Sequence, residues 1–509
     1  MSSTAHFPDP DHFQHQSDEF LHWLTGKPGV QINPKIRIAD LRSQAAGRGV
    51  GTFLFPTKTA GPGRFAPPVS LAQADIAEGE ELFTIPRHLI LSTRNSQLKD
   101  RLFQNPEELG PWLSLMLVMI YEFLLGEQSA WAPYFKVLPR KFDTLMFWTA
   151  SELQELQGSS IVEKIGKEGA EKSILQTIAP IVRANPNLFP PIEGLASYDG
   201  DAGTQMLLNL AHVMGSLIMA YAFDIEKPED EEENDDGEDG YLTDEEEMLP
   251  KGMVPLADLL NANADQNNAR LFQDENTFVM KAIKPISPGA EIFNDYGEIP
   301  RADLLRRYGY ITDNYAPYDV VELPLEIICE AAGLANADAE EQPPLELLEY
   351  LELLDDGYII PRISPHSLID NIVTDELSLL LRTLTLPVEQ LEQYRSKQKA
   401  PKPAFGPTEG AIFMKAIQLK QAQYGTTIAQ DEQLLAQLAH SGAPGLSEET
   451  ARRCRMAIQV RLGEKEILQN LATLVHNHLA SSSQNGGSAQ KRAANGDNDE
   501  SRASKFQRS

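Results

Sequence analysis

Apolar residues along this chain keep two rhythms, and the changes between them predict its elements. Trp112, Leu115, Met116, Met119, Ile120 and Phe123 recur at spacings of three and four, which predicts an amphipathic helix with Glu122 and Glu127 near its end. Another apolar helix is expected from about Met206 to Phe223, and a short one around Phe20 to Leu24. A period of two at Ile32, Ile36 and Ile38, and again from Thr277 to Ile283, predicts strands. A helix is expected over Arg301 to Tyr308. Beyond residue 318, leucine-rich helical patterns alternate with loops: Leu345 to Leu354, Ser367 to Leu384, Glu389 to Gln398, Gly410 to Gln423, Asp431 to His440 and Glu448 to Leu479.

One pattern occurs twice. Ile76-x-x-Gly79-x-Glu81-Leu82-Phe83 and Ile286-x-x-Gly289-x-Glu291-Ile292-Phe293 each read as strand, tight glycine turn, strand. Two such hairpins far apart in sequence suggest similar pieces of one compact β-fold. Between them and the first strands lies Thr52 to Gln73, whose glycine and proline content predicts a loop.

Composition narrows the class. With 509 residues, 42% hydrophobic and 23% charged, the chain reads as soluble and globular, with two to four domains. A net charge of −30 argues against holding a nucleic-acid backbone and suits a basic protein partner. Much of that charge sits between Glu226 and Met248, where fourteen acidic residues face one lysine. That run is too charged to fold and reads either as a solvated spacer or as an attractor of a Lys/Arg-rich substrate. Two cysteines, Cys329 and Cys454, are too few for a disulfide scaffold or a four-cysteine zinc site, which points to a reducing compartment and no metal. No apolar run approaches the ~20 residues of a membrane span, and the polar start is no signal peptide. Residues 1–18 and 481–509 are expected to be disordered tails.

Candidate chemistry is concentrated after residue 250. Asn294-Asp295-Tyr296-Gly297 ends a strand in turn-forming residues, a poor place for a buried tyrosine and a good one from which to present a phenol. Gly47-Arg48-Gly49-Val50-Gly51 lets backbone approach a ligand closely, although it has neither the third glycine nor the following helix of a dinucleotide loop. Trp112 and Tyr221, judged by periodicity alone, read as core.

The stretch Ala257-Asp258-Leu259-Leu260-Asn261, the hairpin to Glu291-Ile292-Phe293-Asn294-Asp295-Tyr296-Gly297, and the helix ending Arg307-Tyr308-Gly309-Tyr310 resemble the SET-domain protein methyltransferases, in the branch of the Rubisco large-subunit lysine methyltransferases. Trp131 to Phe135, Phe142 to Trp148, Tyr424 to Thr427 and Arg461 to Leu468 extend the resemblance over roughly residues 20 to 475. It implies an α+β architecture: a β-rich SET fold over 19–316, with a helical insert at about 97–225 and an acidic loop at 226–248, then an all-α substrate-binding domain over 317–480. It implies S-adenosylmethionine as co-substrate, held by Arg48, Gly49, Val50, Tyr221, Asn261, Ala262 and Tyr308. Tyr296 is the catalytic phenol implied, and Trp112, Ala222 and Asp224 the substrate-side residues. Many members have histidine where Ala262 stands, so a contact through backbone would survive here and one through an imidazole would not. Thr52 to Gln73 is longer than the family's connection at this point. The implied substrate is a lysine of a basic ribosomal protein, and the implied enzyme a monomer resident in the nucleus, with the cytoplasm as a second location. Two other readings stay open: histidine methylation, and a non-catalytic SET fold that recruits basic partners.

Overall fold

The structure is a computed structural model that describes residues 13–41, 48–51, 75–102, 109–226, 249–334, 342–364, 366–440 and 446–494. The expected loop Thr52 to Gln73 and nearly all of the acidic run lie outside the described residues. The chain divides into two compact units. The first takes residues up to 147, 165–299 and 303–314; the second takes 148–164, 300–302 and 315 onward.

Among the described residues, the first unit is built on three small antiparallel sheets. In the largest, Gln31–Ile32, Glu81–Pro86, Thr277–Ala282 and Ala269–Gln273 lie side by side in that order. Leu82, Phe83, Ile85, Phe278 and Met280 of its two central strands are buried. The repeated hairpin pattern explains part of this topology. Ile76 and Ile286, which open the two copies, exchange backbone hydrogen bonds of 3.0 and 2.9 Å. Gly79 and Gly289 turn both copies with φ of +80° and +85°, which favours glycine. A second sheet orders Glu291–Ile292, Arg48–Gly51 and Arg37–Asp40. The third pairs Leu91–Ser92 and Phe223–Asp224 with either side of Lys251–Met253.

The helix predicted from Trp112 onward spans Gly110–Leu124, with Pro111 in its first turn. It is more deeply placed than an amphipathic stripe implies, because every residue from Ser114 to Glu122 is buried. The Glu122 carboxylate accepts hydrogen bonds from the Ser96 and Ser129 hydroxyls at 2.6 and 2.7 Å, so it has partners inside the core. The second apolar helix spans Gly200–Tyr221 and ends one residue before Ala222. The first helix begins at Phe13, inside the segment expected as a disordered tail. Phe13, Ser17, Phe20 and Leu24, spaced four, three and four apart, bury one face and hold it in place.

The second unit is helical, with one two-stranded ribbon, Val320–Pro324 against Gly357–Pro361, that the leucine pattern does not announce. Its helices Pro343–Tyr350, Asp375–Leu384, Val388–Ser396, Pro407–Ala422 and Ile428–His440 match the predicted segments to within a few residues, except that Asp375–Leu384 starts well after Ser367. The last helix, Glu448–Ala494, continues past Ser481, where a tail was expected. Residues 148–164 belong to this unit by packing rather than to the helical insert in which sequence placed them. Arg453 pairs with Glu152 at 3.0 Å, and the Ser159 hydroxyl donates to Glu464 at 2.6 Å. Asp431, fully buried, pairs with Arg461 and Lys465, and these partners hold its carboxyl below the usual range against the burial that would raise it.

Candidate active site

Gly49 lies in the middle strand of the second sheet, between buried Val50 and the described start at Arg48. A Cβ on Gly49 would stand 2.4 Å from Leu41 Cδ1, 2.6 Å from Glu291 Oε1 and 3.2 Å from Asn261 Nδ2. A side chain here would push Leu41 and Glu291 aside, and the bare backbone is what lets Asn261 and Glu291 close in. Asn261 Nδ2 donates to Glu291 Oε1 at 2.6 Å, while the Asn261 carbonyl accepts from the Asn294 N–H at 2.9 Å. Ala262 forms a parallel bridge with Asn294. Burial pushes the Glu291 carboxyl up, and the bond from Asn261 works against that shift. Three segments far apart in sequence thus meet at one cradle. Three of its residues, Gly49, Asn261 and Ala262, were expected from the resemblance, and Glu291 was not.

Glu291 illustrates why sequence misses it. Glu81 occupies the same place in the other copy of the hairpin pattern, yet it points to solvent with Lys281 3.6 Å away. The same local pattern yields a surface carboxylate in one copy and a half-buried one in the other.

From Asn294 the chain leads directly to Tyr296, whose ring stacks on that of Tyr308 with centroids 4.0 Å apart and planes 6° from parallel. Tyr308 ends the helix Arg301–Tyr308, as predicted. Gly309 follows at φ +77°, and a Cβ there would stand 2.8 Å from Thr144 N and 2.9 Å from Asp143 C. Neither atom can swing aside, so only glycine lets this turn seat the tyrosine pair. Burial pushes the Tyr308 phenol up to about 12, with Arg307 pulling the other way, so it is a protonated hydrogen-bond donor at neutral pH. Burial also raises the Tyr221 phenol, and the neighbouring Asp258 and Tyr308 raise it further. Asp258 sits buried on the turn Ala257–Leu259 and accepts a hydrogen bond from the Tyr134 hydroxyl. Burial lifts its carboxyl to about 8, so the neutral acid predominates at pH 7.

The three expected substrate-side residues sit in different local settings. Trp112 lines a cavity of about 180 Å³ whose wall includes neither Ala222 nor Asp224. Ala222 caps the Gly200–Tyr221 helix, its N–H donating to the Ile218 carbonyl at 3.0 Å. Asp224 lies on a short strand with its carboxylate paired to Lys251. Among the described residues, no cluster of three His, Cys, Asp or Glu side chains could hold a metal ion, and no helix is long and apolar enough to cross a membrane.

Residues 71–297 match the SET domain family, and residues 362–468 match the Rubisco LSMT substrate-binding family. Ribosomal lysine N-methyltransferase 4 of Saccharomyces cerevisiae is 34% identical over 332 residues, covering 63% of this chain and 60% of that protein. N-lysine methyltransferase setd6 of Xenopus laevis is 27% identical over 496 residues, covering 91% and 96%. The fold is that of Rubisco LSMT. The structure solved with AdoMet superposes at a TM-score of 0.62 with 20% identity, over 92% of this chain and 93% of that one. The structure solved with lysine and AdoHcy gives 0.61, also at 20% identity, over 91% of each.

Proposed function

We propose that this chain is a SET-type protein-lysine methyltransferase with a Rubisco LSMT-type substrate-binding domain, that the methylated lysine is one of a 60S ribosomal protein and that Tyr296 is the catalytic phenol. The relative at 34% identity, a ribosomal lysine methyltransferase in yeast, supports the substrate. The net charge of −30 supports a basic one. The observation that carries the catalytic reading is the parallel stack of Tyr296 on Tyr308 one strand-turn away from the Gly49–Asn261–Glu291 cradle.

The residues fit S-adenosylmethionine. Gly49 adds no side chain of its own, and Asn261 and Glu291 close around it, with Ala262 bridged to Asn294 next to them. The Glu291 carboxylate adds an acceptor already oriented by Asn261. When bound, S-adenosylmethionine supplies an electrophilic methyl group on a sulfonium.

The work left to the protein is to deliver an uncharged amine in line. A free lysine is protonated at neutral pH, with a pKa near ~10.4, and an ammonium has no lone pair. Burial disfavours its charge and lowers that pKa. The Tyr296 hydroxyl orients the amine nitrogen, and the Tyr308 face supports positive charge by cation–π attraction. Tyr308, held protonated by burial, adds no negative charge to trap the ammonium. Residence in the nucleus, with access to the cytoplasm, would suit a ribosomal-protein substrate.

The direct experiment transfers a radiolabelled methyl group from S-adenosylmethionine into the ribosomal proteins of a strain lacking the gene, followed by mass spectrometry of the labelled band. One labelled lysine in a 60S protein is expected. Label on histidine, or on a non-ribosomal protein, would overturn the substrate assignment.

A further inference from the structure

The cavity that Trp112 lines has features that a packing fault does not explain. Protein interiors pack like molecular crystals, and voids much larger than a water molecule are few. This one holds about 180 Å³, against about 150 Å³ for an engineered cavity that takes up benzene. Its wall brings together Trp112, Met116, Met146 and Met219. Thioether side chains are flexible and recur where a surface must adapt to what it binds.

Two further observations say that the space is kept open. Gly215 lies inside the Gly200–Tyr221 helix, where glycine is disfavoured relative to alanine. A Cβ there would meet only the movable Met116 Cε, at 3.2 Å, so the helix carries glycine although alanine nearly fits. Also lining the cavity, Thr144 is almost wholly buried, and its hydroxyl has no hydrogen-bond partner among the described residues. A buried hydroxyl without a partner destabilises a fold unless something else bonds it. The ionisable groups of the wall are already engaged. His212 Nε2 lies 3.0 Å from Glu171 Oε1, and Arg306 pairs with Asp303 at 2.8 Å. What remains is an apolar volume with a single unsatisfied hydroxyl, which suits an apolar side chain carried on a polar backbone.

Its position ties it to the reaction. Thr144 N packs against Gly309, the residue after Tyr308, and Met219 lies two residues before Tyr221 on the same helix. We propose that this cavity is a specificity pocket that receives an apolar side chain of the substrate polypeptide flanking the methylated lysine, with the Thr144 hydroxyl bonding that residue's backbone. The proposal rests on the lysine-methyltransferase reading above and adds the substrate's local sequence to it.

The test uses the full chain and a set of lysine peptides in which each flanking position in turn is glycine, leucine or phenylalanine. Methyl transfer is followed, and peptide binding is measured in parallel on protein saturated with S-adenosylhomocysteine. One position should prefer leucine or phenylalanine over glycine at least tenfold in kcat/KM. Gly215→Leu should erase that preference while leaving the Kd for S-adenosylhomocysteine within twofold. Should Gly215→Leu fail to fold, Gly215→Ala should weaken the preference in part. Thr144→Val should raise KM about tenfold at unchanged kcat without lowering the Tm. A purely structural Thr144 would give a higher Tm and no change in KM. Turnover with no flanking preference, or a preference that survives Gly215→Leu, overturns the pocket and leaves the methyltransferase reading intact. Flanking preference in binding with no turnover keeps the pocket and overturns that reading. Neither binding preference nor turnover overturns both.

Discussion

Replacing Gly49 with alanine tests the cradle at its tightest point. The added Cβ would stand 2.6 Å from Glu291 Oε1 and 2.4 Å from Leu41 Cδ1, so the first must retreat about 0.8 Å and the second about 1 Å to reach ordinary contact. Leu41 is buried and has little room to move, so Glu291 yields more. Its retreat stretches the 2.6 Å bond from Asn261, which a typical hydrogen bond values at ~1 kcal/mol. Overpacking of this kind costs roughly 1–3 kcal/mol. The same displacement moves Asn261 and Glu291, two polar side chains beside the proposed cofactor contact, so part of the loss appears in affinity. About 1.4–2.8 kcal/mol there corresponds to a ten- to hundredfold weaker Kd for S-adenosylmethionine. Calorimetric titration gives the Kd, and thermal unfolding without ligand gives the stability share. Gly289→Ala serves as control: its φ of +85° makes alanine strained, but nothing lies within 4 Å of the new Cβ, so Tm should fall while Kd holds. An unchanged Kd for Gly49→Ala, with folding intact, would refute the placement of the cofactor at this cradle.

Tyr296→Phe should leave S-adenosylmethionine binding near normal and slow methyl transfer by about 10²-fold or more, read by single-turnover kinetics; transfer at the wild-type rate would remove the phenol from the mechanism. Asp258 makes a pH prediction. Its folded-state carboxyl, at about 8, lies above the ordinary value of 3.8, so its contribution to stability is complete below about pH 4 and is lost as pH rises through about 8. Asp258→Asn should not show that part of the fall, which four pH units bound at about 6 kcal/mol; parallel stability–pH curves for the two proteins would sink the assignment. Neutralising the acidic residues between Glu229 and Asp239 should raise KM for a basic protein substrate at low ionic strength, with the difference vanishing near ~1 M salt, where the screening length is about 3 Å. A KM difference that persists at high salt would argue for a structured contact instead of long-range attraction.

Much of the architecture was legible because it is written in near neighbours. The segments Gly110–Leu124 and Gly200–Tyr221 follow from periodicities that any window of a dozen residues contains, and the helix Arg301–Tyr308 was expected from the family resemblance. The turns at Gly79 and Gly289 follow from a backbone conformation that glycine adopts freely. The SET motifs around Asn261, Tyr296 and Tyr308 were equally visible, because each is a short run of residues. Local pattern could not say that Ile76 and Ile286 would bridge one another, nor that Phe13 would anchor a helix inside an apparent tail. It could not separate Glu291 from Glu81, assign residues 148–164 to the second unit, or reveal the unpartnered Thr144 hydroxyl beside Gly215. Each of these depends on burial and on charges brought together from distant parts of the chain. A carboxyl's pKa or a hydroxyl's lack of a partner is a property of its surroundings, and only the tertiary structure decides what those are.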